Sequence, residues 1–258
     1  MPTAAGLHYF LHEGGSIQKP TLVLIHGAGG DHLAWPPEVR RLPDYRVISL
    51  DLPGHGKTAG PGCQSIEDYA RDVARFLDVS GLSRAVFVGY SMGGAIALAL
   101  ALDYPERVAG IGLISTGASL PIPSSIIENA ANQSTLMLAI KRLQEMSLGS
   151  QTSASLSEIN FKRLTEIRQP LLLGDLRACD RFNMAKRLDA IRSPALVVCG
   201  TDDKLTPMRY SELLSSQISG AALQTVEGAG HLLILEQPGR LAKLISVFLA
   251  TIPYSPGM

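Results

Sequence analysis

The segment Ala85-Val86-Phe87-Val88-Gly89-Tyr90-Ser91-Met92-Gly93-Gly94 is the most informative part of this chain. Its first four residues form an apolar run typical of a strand, and a helix-like stretch follows over residues 95–102. A strand, a Gly-x-Ser-x-Gly turn and a helix in this order make the sharp bend that presents a nucleophilic serine. Glycines on either side of the serine allow the strand and helix to approach each other closely. The pattern therefore predicts a nucleophile at Ser91.

A serine hydroxyl is a weak nucleophile unless a neighbouring base removes its proton. In folds with this turn, the acid and then the histidine follow the serine along the chain. His231 satisfies that order, because it lies in a small-residue loop, 228–231, after a strand-like run at 222–226. It is the only histidine after Ser91; the others are His8, His12, His26, His32 and His55. We therefore predict that His231 is the base.

The acid is predicted to lie in an adjacent pair of carboxylates, Asp202 and Asp203, which follows the apolar run 195–199. The other position at which related enzymes carry the acid follows the preceding strand. Here that segment, residues 111–117, contains no carboxylate. Because consecutive loop side chains point apart, we expect one member of the pair to reach the imidazole. The residue pattern alone leaves both candidates open.

With these motifs in order, the chain resembles the α/β-hydrolase superfamily over nearly its whole length, and capped serine carboxylesterases in particular. The acid loop of that superfamily usually reads Gly-x-x-Asp-x-x-x-Pro, which corresponds here to Gly200, Asp203 and Pro207. The resemblance therefore implies that Asp203 is the acid. Asp202 is expected to be solvated or to cap the following helix.

The resemblance also implies an oxyanion hole, a pair of backbone N–H groups that binds the negative oxygen of the reacting carbonyl. The segment His26-Gly27-Ala28-Gly29-Gly30, called the oxyanion loop below, follows an apolar run at 22–25. In the superfamily this loop supplies one N–H group and the residue after the nucleophile supplies the other. The corresponding residues here are Ala28 and Met92.

The coarse pattern along the chain alternates strands with helices, which predicts an α/β fold with a mostly parallel twisted sheet and helices on both faces. The extra strand with which the superfamily usually begins is expected to be missing or very short. Strands are predicted near 7–13, 21–26, 45–51, 84–90, 110–115, 194–200 and 221–227, and helices near 66–79, 92–103, 207–217 and 237–250.

The alternation stops between about residues 119 and 192, where helical spacing replaces strand-like runs. The resemblance implies a helical cap inserted here over the nucleophile. The predicted division is therefore hydrolase core over 1–118, cap over 119–192 and hydrolase core again over 193–258. Most cap leucines are expected to pack a core, and some side chains to line the substrate pocket. Candidate pocket residues are Trp35, just beyond the oxyanion loop, and Leu136, Met137, Ile140 and Met146 in the cap.

Composition indicates which partners to expect. Lys+Arg and Asp+Glu balance at 23 each, so there is no electrostatic case for nucleic acid or an anionic membrane. The longest apolar run is too short to span a bilayer and no signal peptide is evident, so we expect a cytoplasmic protein. The three widely spaced cysteines are expected to be reduced. The histidines lack metal-ligand spacing, so neither a metal site nor a cofactor is predicted.

The leading hypothesis is a serine hydrolase of neutral carboxylic esters, with lactones as a further substrate class. Alternatives within the same fold are a C–C bond hydrolase and a cofactor-free perhydrolase. A small-molecule receptor that keeps the triad is the alternative from another class. Menaquinone-pathway relatives share a Tyr-Ser-Met-Gly-Gly run but usually continue with arginine, where this chain has Ala95. A haloalkane dehalogenase is excluded, because it requires aspartate in place of Ser91.

Overall fold

The computed structural model describes residues 2–14 and 19–253. Its centre is an eight-stranded sheet in the order β1-β2-β4-β3-β5-β6-β7-β8. The first two strands pair antiparallel, β2 also pairs antiparallel with β4, and the remaining pairs are parallel. The strands are β1 (Thr3–Ala4), β2 (Leu7–Glu13), β3 (Leu22–Ile25), β4 (Arg46–Leu50), β5 (Ala85–Tyr90), β6 (Val108–Ile114), β7 (Ala195–Gly200) and β8 (Ala222–Val226).

Ten α-helices accompany the described strands, and the longer ones outside residues 119–192 agree closely with prediction. Helix α2 begins where Ser65 accepts a hydrogen bond from the N–H of Asp68, which satisfies one free donor of the first turn. The helices are α1 (Pro37–Arg40), α2 (Ile66–Val79), α3 (Met92–Asp103), α4 (Ser124–Ala131), α5 (Leu136–Ser147), α6 (Ala154–Glu166), α7 (Gln169–Arg181), α8 (Met208–Gln217), α9 (Leu233–Glu236) and α10 (Pro238–Thr251).

The sheet is covered on both faces, as predicted. Alternate residues of β3 belong to two separate apolar clusters: Val23 and Ile25 pack with helices α2 and α3, whereas Leu22 and Leu24 pack with α1 and α10. This alternation follows from the two-residue period of a strand. The α/β-hydrolase architecture is thereby confirmed, with β1 reduced to two residues, as expected for the extra first strand.

Helices α4 to α7 lie between β6 and β7 and have an apolar cluster of their own, which includes Ile126, Ile140 and Leu176. We call residues 119–192 the helical insertion. Its treatment as a separate domain with those boundaries stays a prediction. Within residues 2–14 and 19–253, no helix combines the length and the apolar character needed to cross a membrane.

Candidate active site

The turn between β5 and α3 holds Ser91 in a backbone conformation that few residues adopt, with φ 54° and ψ −118°. Such strain persists only where the surrounding structure enforces it, and it is concentrated at functional sites. Any Cβ at position 89 or 93 would collide with backbone atoms, Gly93 O in the first case and Ile25 O in the second. The Thr116 hydroxyl donates to Ser91 O at 2.8 Å and helps to hold the turn. The sequence pattern therefore corresponds to a real steric requirement.

Ser91, His231 and Asp203 lie in hydrogen-bonded series. Ser91 Oγ is 3.0 Å from His231 Nε2, and His231 Nδ1 is 2.9 Å from Asp203 Oδ2. The His231 side chain is 6% exposed and the Asp203 side chain is fully buried, so water competes little for these contacts. With Nδ1–H donated to the carboxylate, Nε2 is free to accept the serine proton. This is the arrangement that a serine–histidine–aspartate triad requires.

The Asp203 carboxylate is held by its own loop. Its Oδ1 accepts from the N–H groups of Leu205 and Thr206 at 2.9 and 2.8 Å, and its Oδ2 accepts from the Thr206 hydroxyl at 2.7 Å. Burial by itself would raise the pKa of Asp203. The nearby His231 and the hydrogen bonds from His231 and Thr206 outweigh burial, so this pKa lies below its usual value. Asp203 is therefore ionised at neutral pH, as an orienting anion must be.

Asp202 has a different partner. Its Oδ2 accepts the N–H of Ser150, in the loop after α5, at 2.8 Å. Asp202 is partly exposed to solvent, in line with the first of its two expected roles, and it does not cap the following helix; in addition it links the acid loop to the helical insertion. Only its neighbour reaches the imidazole.

The loop after β3 lies against the nucleophile. A Cβ on Gly27 would lie 3.2 Å from Ser91 Cβ, and Ala28 lines the same cavity as Ser91. Met92 is the first residue of α3, where backbone N–H groups lack partners within the helix. The partial positive charge of a helix N-terminus adds to the attraction for an anionic oxygen. Ala28 and Met92 thus occupy positions suited to their predicted role in an oxyanion hole.

A cavity of about 790 Å³ contains Ser91 and His231 in its wall. That volume lies within the ordinary range for small-molecule sites. The oxyanion loop and the loop after β4 form one side, and the helical insertion forms the other. Apolar side chains of the insertion that line the cavity include Leu143, Leu164, Ile167, Leu171, Leu172 and Leu176.

The five side chains predicted for the pocket are not among those that line this cavity. Trp35 is fully buried in the core cluster on the sheet face that packs against α1 and α10. Ile140 is buried within the insertion, and Leu136 and Met146 pack beside it. Met137 is 44% exposed to solvent. The pocket assignment therefore moves from α5 towards α6 and α7, because most of these α5 side chains pack within the insertion.

Two carboxylates that sequence reasoning missed connect the insertion to the loops of the candidate site. Glu236, five residues after His231, accepts the Gly230 N–H at 2.6 Å, the Gly149 N–H at 3.3 Å and the Thr152 hydroxyl. It therefore joins the histidine loop to the segment that follows α5.

The second is Asp175 of α7, whose carboxylate is fully buried. It accepts hydrogen bonds from Gly29 N–H, from His55 Nε2 and from the Tyr69 hydroxyl at 2.8, 2.8 and 2.7 Å. These three partners lie 106 to 146 residues away along the chain. No local sequence pattern could have revealed contacts over such separations.

A further buried cluster brings together His8, His32 and Asp51, whose potential ligand atoms lie within 4.8 Å of one another. Sequence spacing gave no sign of this cluster. The carboxylate accepts from both imidazole Nδ1 atoms at 2.6 and 2.9 Å, and from the N–H groups of His32 and Lys57 at 2.7 and 3.0 Å. These four donors match the acceptor capacity of a carboxylate. We therefore assign the cluster a structural role in joining β2 to the loops after β3 and β4.

Comparison with known proteins agrees with this geometry. The chain matches the profile described as "Alpha/beta hydrolase family" over residues 22–244. It is 27% identical over 266 residues to a putative 2-succinyl-6-hydroxy-2,4-cyclohexadiene-1-carboxylate synthase of Bacillus subtilis (strain 168), with 96% of each chain covered. It is 30% identical over 254 residues to a 2-hydroxy-6-oxononadienedioate/2-hydroxy-6-oxononatrienedioate hydrolase of Burkholderia vietnamiensis (strain G4), with 88% of this chain and 86% of the relative covered.

Among solved structures, a thermophilic esterase from Thermogutta terrifontis superimposes with a TM-score of 0.83 at 26% identity. The match covers 95% of this chain and 93% of the esterase. The profile match extends from β3 into α10 and so includes the nucleophile turn, the acid loop and the histidine loop. From sequence, fold and site together, the chain belongs to the alpha/beta hydrolase family.

Proposed function

We propose that the protein is a serine hydrolase that cleaves neutral carboxylic esters, lactones among them, through an acyl-enzyme on Ser91. The observation that carries this proposal is the series Ser91 Oγ, His231 Nε2 and Nδ1, and Asp203 Oδ2, joined by contacts of 3.0 and 2.9 Å in the wall of a cavity. Family membership supports hydrolase chemistry in general, and the ester specificity is our inference.

In the proposed reaction, Ser91 Oγ attacks the substrate carbonyl carbon while His231 Nε2 accepts the hydroxyl proton. Asp203 holds the imidazole through Nδ1 and stabilises the imidazolium that forms. The N–H groups of Ala28 and Met92 bind the carbonyl oxygen as it becomes negative. Each such donor contributes about 3–4 kcal/mol to transition-state stabilisation in enzymes where one has been removed.

His231 then gives its proton to the leaving alcohol oxygen, and the tetrahedral intermediate collapses to an acyl ester of Ser91. In the second half, a water molecule loses a proton to the same imidazole and attacks the acyl carbon. Collapse of the second intermediate returns the proton to Ser91 and releases the acid. The triad and the two N–H groups supply every proton transfer and charge contact in this sequence.

The character of the cavity favours a neutral acyl group. Leucine and isoleucine side chains dominate the part of the wall supplied by the insertion. Arg163 and Arg168 lie on the same wall but are exposed, and so is Glu166, whose negative charge offsets part of theirs. Because water and salt screen exposed charges, an anionic substrate would gain little from these two arginines.

A C–C bond hydrolase is the second candidate, favoured by the relative from Burkholderia vietnamiensis. The substrate named for that relative is a dioate, with two carboxylates to bind. The apolar wall described above is a poor match for two such groups. We therefore rank this activity below ester hydrolysis.

A panel of p-nitrophenyl esters, lactones and 2-hydroxy-6-oxo-dienoate ring-cleavage products, assayed in parallel, tests the proposal. We expect steady turnover of the esters and lactones that disappears in Ser91→Ala. Turnover of the ring-cleavage products alone would indicate the C–C bond hydrolase. A single stoichiometric release of nitrophenol without turnover would indicate a receptor.

A further inference from the structure

Asp175 is a buried anion whose partners all lie outside its own helical insertion. Its Oδ2 accepts from Gly29 N–H in the oxyanion loop and from His55 Nε2 in the loop after β4, and its Oδ1 accepts from the Tyr69 hydroxyl of α2. A buried charge is stable only when it is paired and hydrogen-bonded. The insertion therefore contributes one strong acceptor around which three separate core elements are arranged.

One of these contacts adjoins the residue that supplies an oxyanion-hole N–H. Gly27 O accepts from His26 Nδ1 at 2.8 Å and from Gly30 N–H at 3.1 Å. Because the C=O and N–H of a trans peptide point in opposite directions, these contacts also fix the direction of the Ala28 N–H. Asp175 fixes the next peptide plane through Gly29 N–H. Ala28 thus lies between two held planes, the second of which depends on the insertion.

The insertion also closes over the same loop by packing. Gly29 has φ +64°, and a Cβ at that position would meet Cδ1 of Ile167, so the Ile167 side chain would have to shift. Glycine is therefore favoured at position 29 by the backbone conformation and by the close approach of the insertion. Asp175 and Ile167 thus both contact the loop from the insertion, one by a hydrogen bond and the other by packing.

An uncompensated anion beside the oxyanion loop would oppose the charge that develops in the transition state. His55 provides the compensation: its Nδ1 faces Pro53 O at 3.0 Å and its Nε2 faces Asp175 Oδ2 at 2.8 Å. A carbonyl and a carboxylate can only accept, so both contacts are satisfied when both ring nitrogens carry hydrogen. An imidazolium–carboxylate pair would hold the loop without adding net charge.

We propose that Asp175 is a positioning residue for the oxyanion hole: by holding the second peptide plane beside Ala28, the docked helical insertion helps to keep the Ala28 N–H in its active orientation. The proposal rests on the proposed function and adds to it a residue that is absent from the cavity wall. Asp175 would act through Gly29 and Ala28 and would not contact the substrate.

The test compares Asp175→Asn with a control substitution on the same helix, Asp180→Asn. The Asp180 carboxylate is exposed, and among the described residues it accepts a hydrogen bond only from the Ile122 N–H. An asparagine at position 175 keeps the shape of the side chain but replaces one accepting oxygen by an NH2 group. That group cannot accept a hydrogen bond, so at least one of the present donors loses its partner. We expect kcat to fall about 10- to 100-fold, less than complete loss of an oxyanion donor. KM should stay within about threefold, and Asp180→Asn should match the wild type.

A second readout is the affinity for an aryl trifluoromethyl ketone, which forms a tetrahedral adduct on Ser91 and requires the oxyanion hole. Its affinity should fall by the same factor as kcat in Asp175→Asn. Tyr69→Phe, which removes one donor to Asp175 and leaves the core shape intact, should change both quantities a few-fold in the same direction. This variant keeps the test decisive if Asp175→Asn does not fold.

Three results would overturn the proposal: unchanged kcat and ketone affinity in Asp175→Asn, an effect confined to KM, or equal losses in Asp180→Asn. Should Asp175→Asn not fold, unchanged kcat and ketone affinity in Tyr69→Phe would overturn it instead. If the wild type hydrolyses no ester, the proposed function fails, and ketone affinity alone then decides the role of Asp175. A wild type that neither hydrolyses esters nor binds the ketone would refute both.

Discussion

Asp202 and Asp203 are neighbours in the chain but hold different parts of the molecule. Asp203 Oδ2 accepts from His231 Nδ1 at 2.9 Å, whereas Asp202 Oδ2 accepts the N–H of Ser150 at 2.8 Å. One carboxylate therefore orients the imidazole, and the other ties the acid loop to the helical insertion. This division of roles gives the first prediction a matched pair of variants.

Asp203→Asn should lower kcat by about 10³–10⁴-fold, because an amide would favour the wrong imidazole tautomer and remove the anion that stabilises imidazolium. Asp202→Asn should cost less than about tenfold, a barrier change of roughly 1.4 kcal/mol, since its amide oxygen can still accept the Ser150 N–H. Steady-state kinetics on a p-nitrophenyl ester measures both. The opposite ranking would show that Asp203 is not the acid.

Ser91→Ala and His231→Ala should each remove nearly all ester hydrolysis while the protein remains folded, as judged by circular dichroism. The two side chains act on one proton across a contact of 3.0 Å. Because residues that act as a unit have non-additive effects, the double variant should be scarcely slower than either single variant. Independent, additive losses would contradict the triad.

The free energy of unfolding should decrease as the pH falls from about 6.5 towards 4. Burial, followed by the neighbouring His55, lowers the pKa of His26 to about 3. The unfolded chain takes up a proton at His26 below about pH 6.5, whereas the folded chain does not until near pH 3. Stability is therefore lost on acidification, by at most about 1.4 kcal/mol per pH unit.

Urea unfolding of the wild type, His26→Asn and His12→Asn at pH 7, 6 and 5 isolates this contribution. Asparagine at 26 keeps a donor for Gly27 O but has no proton to gain, so its pH dependence should be shallower. His12 is only partly buried and serves as the control. The lowered pKa of Asp203 changes the free energy of unfolding with pH mainly below about pH 4, outside the range measured. If the free energy of unfolding changes with pH equally in the wild type and in His26→Asn, the pH dependence does not come from His26.

Across p-nitrophenyl esters, kcat/KM should rise with acyl length until the cavity of about 790 Å³ is full, and palmitate should be a poor substrate. Each methylene that fits should contribute about 0.8 kcal/mol. Leu176→Phe, which fills space in the cavity wall, should move the optimum to a shorter chain. Leu213→Phe, at an exposed position on α8, should leave it unchanged. A rate still rising at palmitate, or a strong preference for a charged acyl group, would refute a small neutral pocket.

The elements and the turn at Ser91 could be predicted because local rules determine them, whereas the choice of Asp203 over Asp202 required the family resemblance. Strand and helix positions follow from periodicity, and the turn at Ser91 from glycines that the backbone geometry requires. The pocket could not be predicted in the same way. Helical spacing identifies the buried face of α5, but it does not say whether a cavity or another helix covers Ile140. The contacts of Asp175 also escaped prediction, since they depend on how the whole insertion sits on the core.

Two of the attachments of the insertion to the core, at Glu236 and at Asp175, limit how the protein can be re-engineered or can diverge. A chimera that received the corresponding segment from another family member would gain a new substrate chamber. It would also lose the acceptor for Gly29 N–H, and it would lose the two donors to Glu236 at positions 149 and 152. Such a graft is expected to fold with impaired chemistry unless both attachments are transplanted with it. Substrate range should therefore drift through the leucines of the chamber while these anchor points stay fixed.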